Sequence, residues 1–151
     1  MNFQIVEENN FEKARKKIKS LRNEKSVVFT SGDDELNRKI LEKENVDILL
    51  LKQASRKDFA KQRNSGLNQV MAKAAKKSGT TIGIFLDEIL EAKEKAKSQI
   101  LARIKQNVEL CKKNNLKMRF ITQNAKKERN IRDLKSLGLI LGMPTSMVKS
   151  L

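Results

Sequence analysis

Short apolar blocks recur along the chain and switch between two periods. Phe3 to Val6 has the length of a strand, and Asn10 stands where it would cap a helix in which Phe11, Ala14, Ile18 and Leu21 recur at helical spacing. Ser26 to Thr30, rich in Val and Phe, predicts a second strand, and the polar turn Ser31-Gly32-Asp33-Asp34 leads into a helix ending at about Glu44. Val46 to Leu51 is nearly all apolar, as expected of a strand covered on both faces. Leu67, Val70, Met71 and Ala74 then suggest one face of a helix that Ser78-Gly79 stops, with Lys73, Lys76 and Lys77 opposite. Thr80 to Phe85 predicts a fourth strand, Asp87 to Lys95 and Lys97 to Lys113 predict helices, and Leu101, Ile104, Val108 and Cys111 form the stripe of the second. Lys117 to Thr122 reads as a fifth strand, with Met118, Phe120 and Thr122 alternating against Arg119 and Ile121. Ile131 to Leu141 reads as a helix ended by Gly142, and Pro144 can open a last short one.

Strands separated by helices imply a mainly parallel sheet with right-handed crossovers, open or curled towards a barrel. Five strands are too few to close an eight-stranded one. The 151 residues predict a single α/β domain, with no internal repeat or low-complexity segment. In such sheets binding sites gather at the carboxyl ends of the strands, where the loops Lys52 to Asn64 and Gln123 to Asn130 would both lie.

Charge singles out those two loops. The formal net charge is +15, and Lys52 to Lys77 holds eight Lys or Arg against the single acid Asp58, while Lys112 to Lys135 holds nine against two. Ser31 to Leu51 is net acidic and Ser78 to Cys111 is balanced. A polyanion is the partner such a distribution suits, although Lys-rich composition also accompanies AT-rich genomes and hot habitats. The absence of histidine excludes His-dependent nucleophilic machinery and His-ligated metal centres, and the lone Cys111 is read as a packing residue in a reducing compartment. No apolar run is long enough to span a bilayer and Met1 to Val6 lacks a signal-peptide layout, so the expected location is the cytoplasm, with no membrane partner.

The candidate chemistry is phosphate binding. A helix start at Asn64-Ser65-Gly66 would offer unpaired backbone N–H groups beside Arg56, Lys57 and Arg63, although Asn64 or Ser65 could equally be a plain N-cap. Neither a Walker loop nor a Gly-x-Gly-x-x-Gly pattern occurs. Asp33, Asp34 and Glu35 could hold Mg²⁺, or could simply complement a helix dipole, and Glu35 to Arg38 could be a surface ion-pair face. All six aromatics are Phe, which disfavours a base-stacking platform; Phe59, between Lys57 and Lys61, either stacks on a base or packs under its loop.

Taken in order, Glu35-Leu36-Asn37-Arg38, Val46-Asp47-Ile48-Leu49, Ser65-Gly66-Leu67-Asn68 with Ala72-Lys73, and Ile82-Gly83-Ile84 resemble the archaeal ribonuclease P protein component 3 family, related to the eukaryotic thirty-kilodalton subunit of ribonuclease P and MRP. Arg103 with Asn107, Lys117 to Thr122, Ala125, Ile131-Arg132-Asp133-Leu134 and Leu141-Gly142-Met143 continue the resemblance, which runs from about Val27 to the end. It implies a TIM-barrel-like α/β protein, and the chain's short N-terminus by that family's standard implies a reduced or incomplete barrel. It also implies a noncatalytic subunit that braces the RNA of ribonuclease P, which removes the 5′ leader from precursor tRNA, alongside a Pop5-type protein. Catalysis would belong to RNA and Mg²⁺, with no cofactor or metal on this chain. Gln69 stands where members often carry His, and Thr122-Gln123-Asn124-Ala125 where a Ser-Gly-Ala segment is common.

The RNA-facing residues expected are Arg38, Lys52, Arg56, Lys57, Lys61, Arg63 and Lys73 around the first loop, with Ser65 and Asn68 shaping the helix start. Lys126, Lys127, Arg129 and Arg132 extend the surface from the second. Two other readings compete: a generic RNA- or ribosome-associated binder, and a metal-dependent hydrolase on a related barrel.

Overall fold

A computed structural model describes residues 3–151; Met1, at the head of the Met1 to Val6 segment, lies outside the described residues. Strands β1 (Phe3–Glu7), β2 (Ser26–Thr30), β3 (Ile48–Leu51), β4 (Thr81–Phe85) and β5 (Met118–Ile121) pair in chain order, each parallel to the next. Helices α1 (Phe11–Leu21), α2 (Asp34–Lys43) and α3 (Gln69–Ser78) make the first three crossovers, and α4 (Leu86–Glu91) with α5 (Glu94–Lys113) the fourth. A 3-10 turn (Ala125–Lys127), α6 (Ile131–Ile140) and α7 (Thr145–Lys149) complete the chain. Among the described residues β1 pairs only with β2 and β5 only with β4. The expected incomplete TIM-barrel-like fold is what forms, with a sheet wholly rather than mainly parallel.

Alternation along the strands divides the core in two. Val27, Phe29, Leu49, Leu51, Ile82, Ile84 and Met118 face the helices in the main core, together with Ile18, Ile40, Ala72, Ile104 and Val108. Cys111 belongs to the same core, where burial pushes its thiol up to about 12 and leaves it a packing residue at neutral pH. The opposite face carries Val28, Ile48, Leu50 and Ile121, with Phe3, Ile5 and Phe85 at its margins. Among the described residues no helix side chain joins that second cluster, yet Val28 and Leu50 are completely buried. The sheet therefore curls around its own side chains, as a barrel wall does. Burying residues such as Leu50 contributes roughly 1.5–3 kcal/mol each.

Gly83 sits on the curled face where the curvature leaves no room. A Cβ there would lie 2.9 Å from the Ile48 Cγ2 and 3.2 Å from the Leu50 Cα. Gly83→Ala is expected to destabilise by about 1–3 kcal/mol through overpacking, read as a lower urea midpoint with unchanged slope.

The third helix begins later than the apolar spacing suggests. Asn68 is its N-cap, its side chain accepting from the Met71 N–H at 2.9 Å, and α3 ends at Gly79, where φ is +73°. Leu67 is thus the residue before the cap, buried in the main core with Ala72 in a staple-like arrangement. Val70 turns outward, 51% exposed, and the buried face is Met71, Ala72 and Ala75. Asn64, Ser65 and Gly66 are therefore loop residues rather than a helix start. Among the described residues no helix is long and apolar enough to cross a membrane.

Candidate nucleic-acid interface

The two basic loops emerge at the carboxyl ends of β3 and β5, and β4 lies between those strands. The first two acids after β4 hold one loop each. The Glu88 carboxylate accepts the backbone N–H of Gln53 at 2.7 Å and of Ala54 at 3.0 Å, pinning the start of the first loop. Asp87 accepts the Gln123 N–H at 3.1 Å and the Thr122 hydroxyl, pinning the start of the second. Both carboxylates are buried. Desolvation raises the pKa of Glu88 in spite of its two N–H donors.

Helix α5 anchors the rest of the first loop with a polar edge beside its apolar stripe. Arg103, 3% exposed, donates to the Asp58 carboxylate at 2.9 Å, to the Gln53 carbonyl at 3.0 Å and to the Arg56 carbonyl at 2.7 Å. Asn107 donates to the Ser65 carbonyl at 3.0 Å, and Gln106 donates to the Arg63 carbonyl at 2.9 Å and the Ser65 hydroxyl at 3.0 Å. Gln53, itself buried, donates to the Ser65 carbonyl at 2.8 Å. A loop with these fastenings is held open in one shape.

Asp58 is the hub of that arrangement. It receives Arg103, Arg63 at 2.8 Å and the Asn64 N–H at 3.0 Å, and these donors, Arg103 foremost, hold its carboxyl far below the ordinary value of 3.8. A depressed pKa makes the ionised form a stabiliser above the ordinary value, and that contribution is withdrawn as the pH falls below 3.8. Glu88, raised instead, works in the opposite direction: ionising it weakens the fold as the pH rises above 4.5. Asp58→Asn is therefore expected to melt below the wild type near neutral pH. Thermal scans across the acid range should show the gap narrowing below 3.8; a gap independent of pH would contradict the role given to this carboxylate.

The expected site residues divide into those spent on the fold and those left to solvent. Arg56, its side chain 12% exposed, forms a bidentate pair with Asp34 at 2.9 and 3.0 Å and donates to the Lys52 carbonyl at 2.8 Å. Its guanidinium lies against Gly66, where φ is +79° and an added Cβ would come within 2.6 Å of Nη2. Lys52 reaches Glu7 at 3.3 Å and sits over the Phe85 ring, Arg38 pairs with Glu42 at 2.9 Å, and Lys127 pairs with Glu91. Ser65 is buried, and Asn68 is used as the α3 cap. Lys57, Lys61, Lys73, Lys126 and Arg132 are exposed and make no ion pair among the described residues, while Arg63 is exposed but shares Asp58. Arg129 is exposed and donates to the Glu128 carbonyl.

The acids weighed for Mg²⁺ are also engaged. Asp33 caps α2, accepting from the Glu35 N–H at 3.0 Å, and Asp34 holds Arg56. Among the described residues no three Asp, Glu or Cys side chains are placed to hold a metal ion. Phe59 is 57% exposed, so it does not pack under its loop. Arg103, Gln106, Asn107, Asp87 and Glu88 are not among the site residues expected from the sequence, where Arg103 and Asn107 carry only part of the family resemblance. The available signals were a polar i, i+4 pair, Arg103 and Asn107, beside the stripe of α5, and a lone acid, Asp58, in a basic loop.

The family model for RNase P subunit p30 matches residues 4–151, nearly the whole chain. The chain belongs to the RNase P subunit p30 family. It is 39% identical over 111 residues to a ribonuclease P protein component 3 of Methanosarcina acetivorans, covering 73% of this chain and 43% of that protein. The same-named protein of Thermococcus kodakarensis is 34% identical over 132 residues, covering 85% of this chain and 56% of its own length. The chain thus spans about half the length of these curated relatives. A chain from a cryo-EM structure of archaeal ribonuclease P with mature tRNA superposes with a TM-score of 0.80 at 22% identity, over 96% of this chain and 62% of that one, and so shares the fold. Within the p30 family, then, this chain presents two basic loops fastened side by side by consecutive carboxylates.

Proposed function

We propose that the chain is a noncatalytic, RNA-binding protein subunit of ribonuclease P, acting in the removal of the 5′ leader from precursor tRNA. Membership of the p30 family supplies the assembly, and the relatives carry its name. The observation that carries the RNA contact is the fastening of two cationic loops at one sheet edge by Asp87 and Glu88. Loops ordered in advance lose little conformational entropy when they meet a polyanion. Lys57, Lys61, Arg63 and Lys73 would meet phosphates from the first loop and α3, and Lys126, Arg129 and Arg132 from the second, whereas Arg56 shapes the loop from within.

In this reading the reaction is performed by RNA with Mg²⁺, and a Pop5-type subunit is the protein partner, in the cytoplasm. The engagement of Asp33 and Asp34 in a cap and an ion pair speaks against a hydrolase site on this chain. Reconstitution tests the proposal. Adding the chain to its cognate RNA and the Pop5-type partner is expected to lower the Mg²⁺ concentration at which precursor tRNA is cleaved; cleavage unchanged across the Mg²⁺ range would overturn it. Pull-down from extract that enriches ribosomal RNA over the ribonuclease P RNA would instead support the generic RNA-binding reading.

A further inference from the structure

Beside the first basic loop a cavity of about 590 Å³ opens between α2, the start of α3 and α5. Its walls carry both signs of charge, with Arg38, Arg63 and Lys113 set against Asp34, Glu35 and Glu109. Glu35 comes from α2, Phe59 and Gln62 from the loop, Gln69 from α3, and Gln106 and Glu109 from α5. The α3 N-terminus is capped by Asn68, whose side chain takes the Met71 N–H. Three acids against three cations leave the wall formally neutral, and Arg38, Arg63 and Asp34 are already engaged in ion pairs. Glu35, Glu109 and Gln62 line the cavity and make no side-chain hydrogen bond among the described residues, which leaves acceptors and an amide available to a ligand. Phe59 is exposed at this cavity, whereas the other five Phe residues are buried or half-buried.

An aromatic face, amide and carboxylate edges, and a volume in the range of small-ligand sites match a nucleobase with its ribose. Lys57 and Lys61, two residues to either side of Phe59 and absent from the lining, suit the phosphates left outside. We propose that this cavity receives one unpaired nucleotide of RNA, its base stacked on Phe59 and its polar edge met by Gln62 and the wall carboxylates. The proposal rests on the RNA-binding reading above and adds that part of the contact is made to a base rather than to the backbone.

The test compares a short unstructured RNA oligonucleotide with an abasic strand of the same length and charge, binding to the full chain by fluorescence anisotropy. The wild type is expected to prefer the base-bearing strand by about tenfold, within the range that stacking one base on an aromatic ring provides. Phe59→Ala should remove that preference without changing the salt slope, and Phe59→Trp should restore it. Because Phe59 is exposed, unchanged melting of both variants establishes that they fold. Equal binding of the two strands by the wild type, or a loss in Phe59→Ala that is the same for both, would overturn the nucleotide pocket and leave backbone binding standing. Failure of the wild type to bind either strand would likewise overturn the nucleotide pocket, while the subunit reading is decided separately by reconstitution.

Discussion

Arg103→Met is expected to lower the melting temperature by about 6–12 °C, from a loss of about 3 kcal/mol at roughly 2–4 °C per kcal/mol for a domain of this size. The substitution keeps most of the packing volume but removes donors to Asp58, Gln53 and Arg56 at once. Asp58 is then left with the Asn64 N–H and with Arg63, itself half exposed, and the carbonyls of Gln53 and Arg56 lose their partner. Removing the buried member of a partly buried, hydrogen-bonded charge pair costs more than the pair contributes over an apolar replacement, because the remaining groups stay partly desolvated. Amide exchange should localise the damage, with protection lost first between residues 53 and 65 while the sheet keeps its own. A melting temperature within a degree or so of the wild type would mean that the loop holds its shape without α5.

Lys57→Ala with Lys61→Ala should do the reverse, leaving melting unchanged and weakening RNA binding. Both side chains are exposed and unpaired among the described residues, so little in the fold depends on them. On duplex-like RNA each phosphate that is no longer neutralised should flatten the log–log salt dependence by about 0.9, and on single-stranded RNA by about 0.7. Arg56→Ala provides the contrast. Its charge is already spent on Asp34, so its removal should cost stability and leave the salt slope near that of the wild type.

The periodic parts of this fold were open to reading because each element carries its own pattern: alternation in β5, a cap and a helical stripe from Asn10 through Leu21, a Val-rich run in β2. The start of α3 was not, since Asn64, Ser65 and Asn68 are all acceptable caps, and only the burial of Leu67 and Ala72 in the main core selects the last. That shift moved Val70 out of the apolar face and Ser65 into the interior. The basic character of both loops was plain in the sequence, but its division was not. Whether Arg56 meets solvent or Asp34 is settled by a contact across 22 positions, and Arg103 acts on the loop across 45 to 50. No local pattern encodes such pairings. Likewise Asp87 and Glu88 look like ordinary first-turn acids of α4 until the parallel order sets β4 between the two loop-bearing strands.

The central claim is that RNA is met by these two loops and not by basic surface in general. A charge-matched comparison tests it: Lys57, Lys61 and Lys126 to Ala in one variant, and Lys13, Lys16 and Lys19 of the exposed face of α1 to Ala in another. Both lose the same net charge. Measured against the ribonuclease P RNA across a salt series, the loop variant should lose about 0.9 of slope for every phosphate it no longer neutralises, whereas the α1 variant should keep the wild-type slope. Equal losses in the two variants would contradict the account.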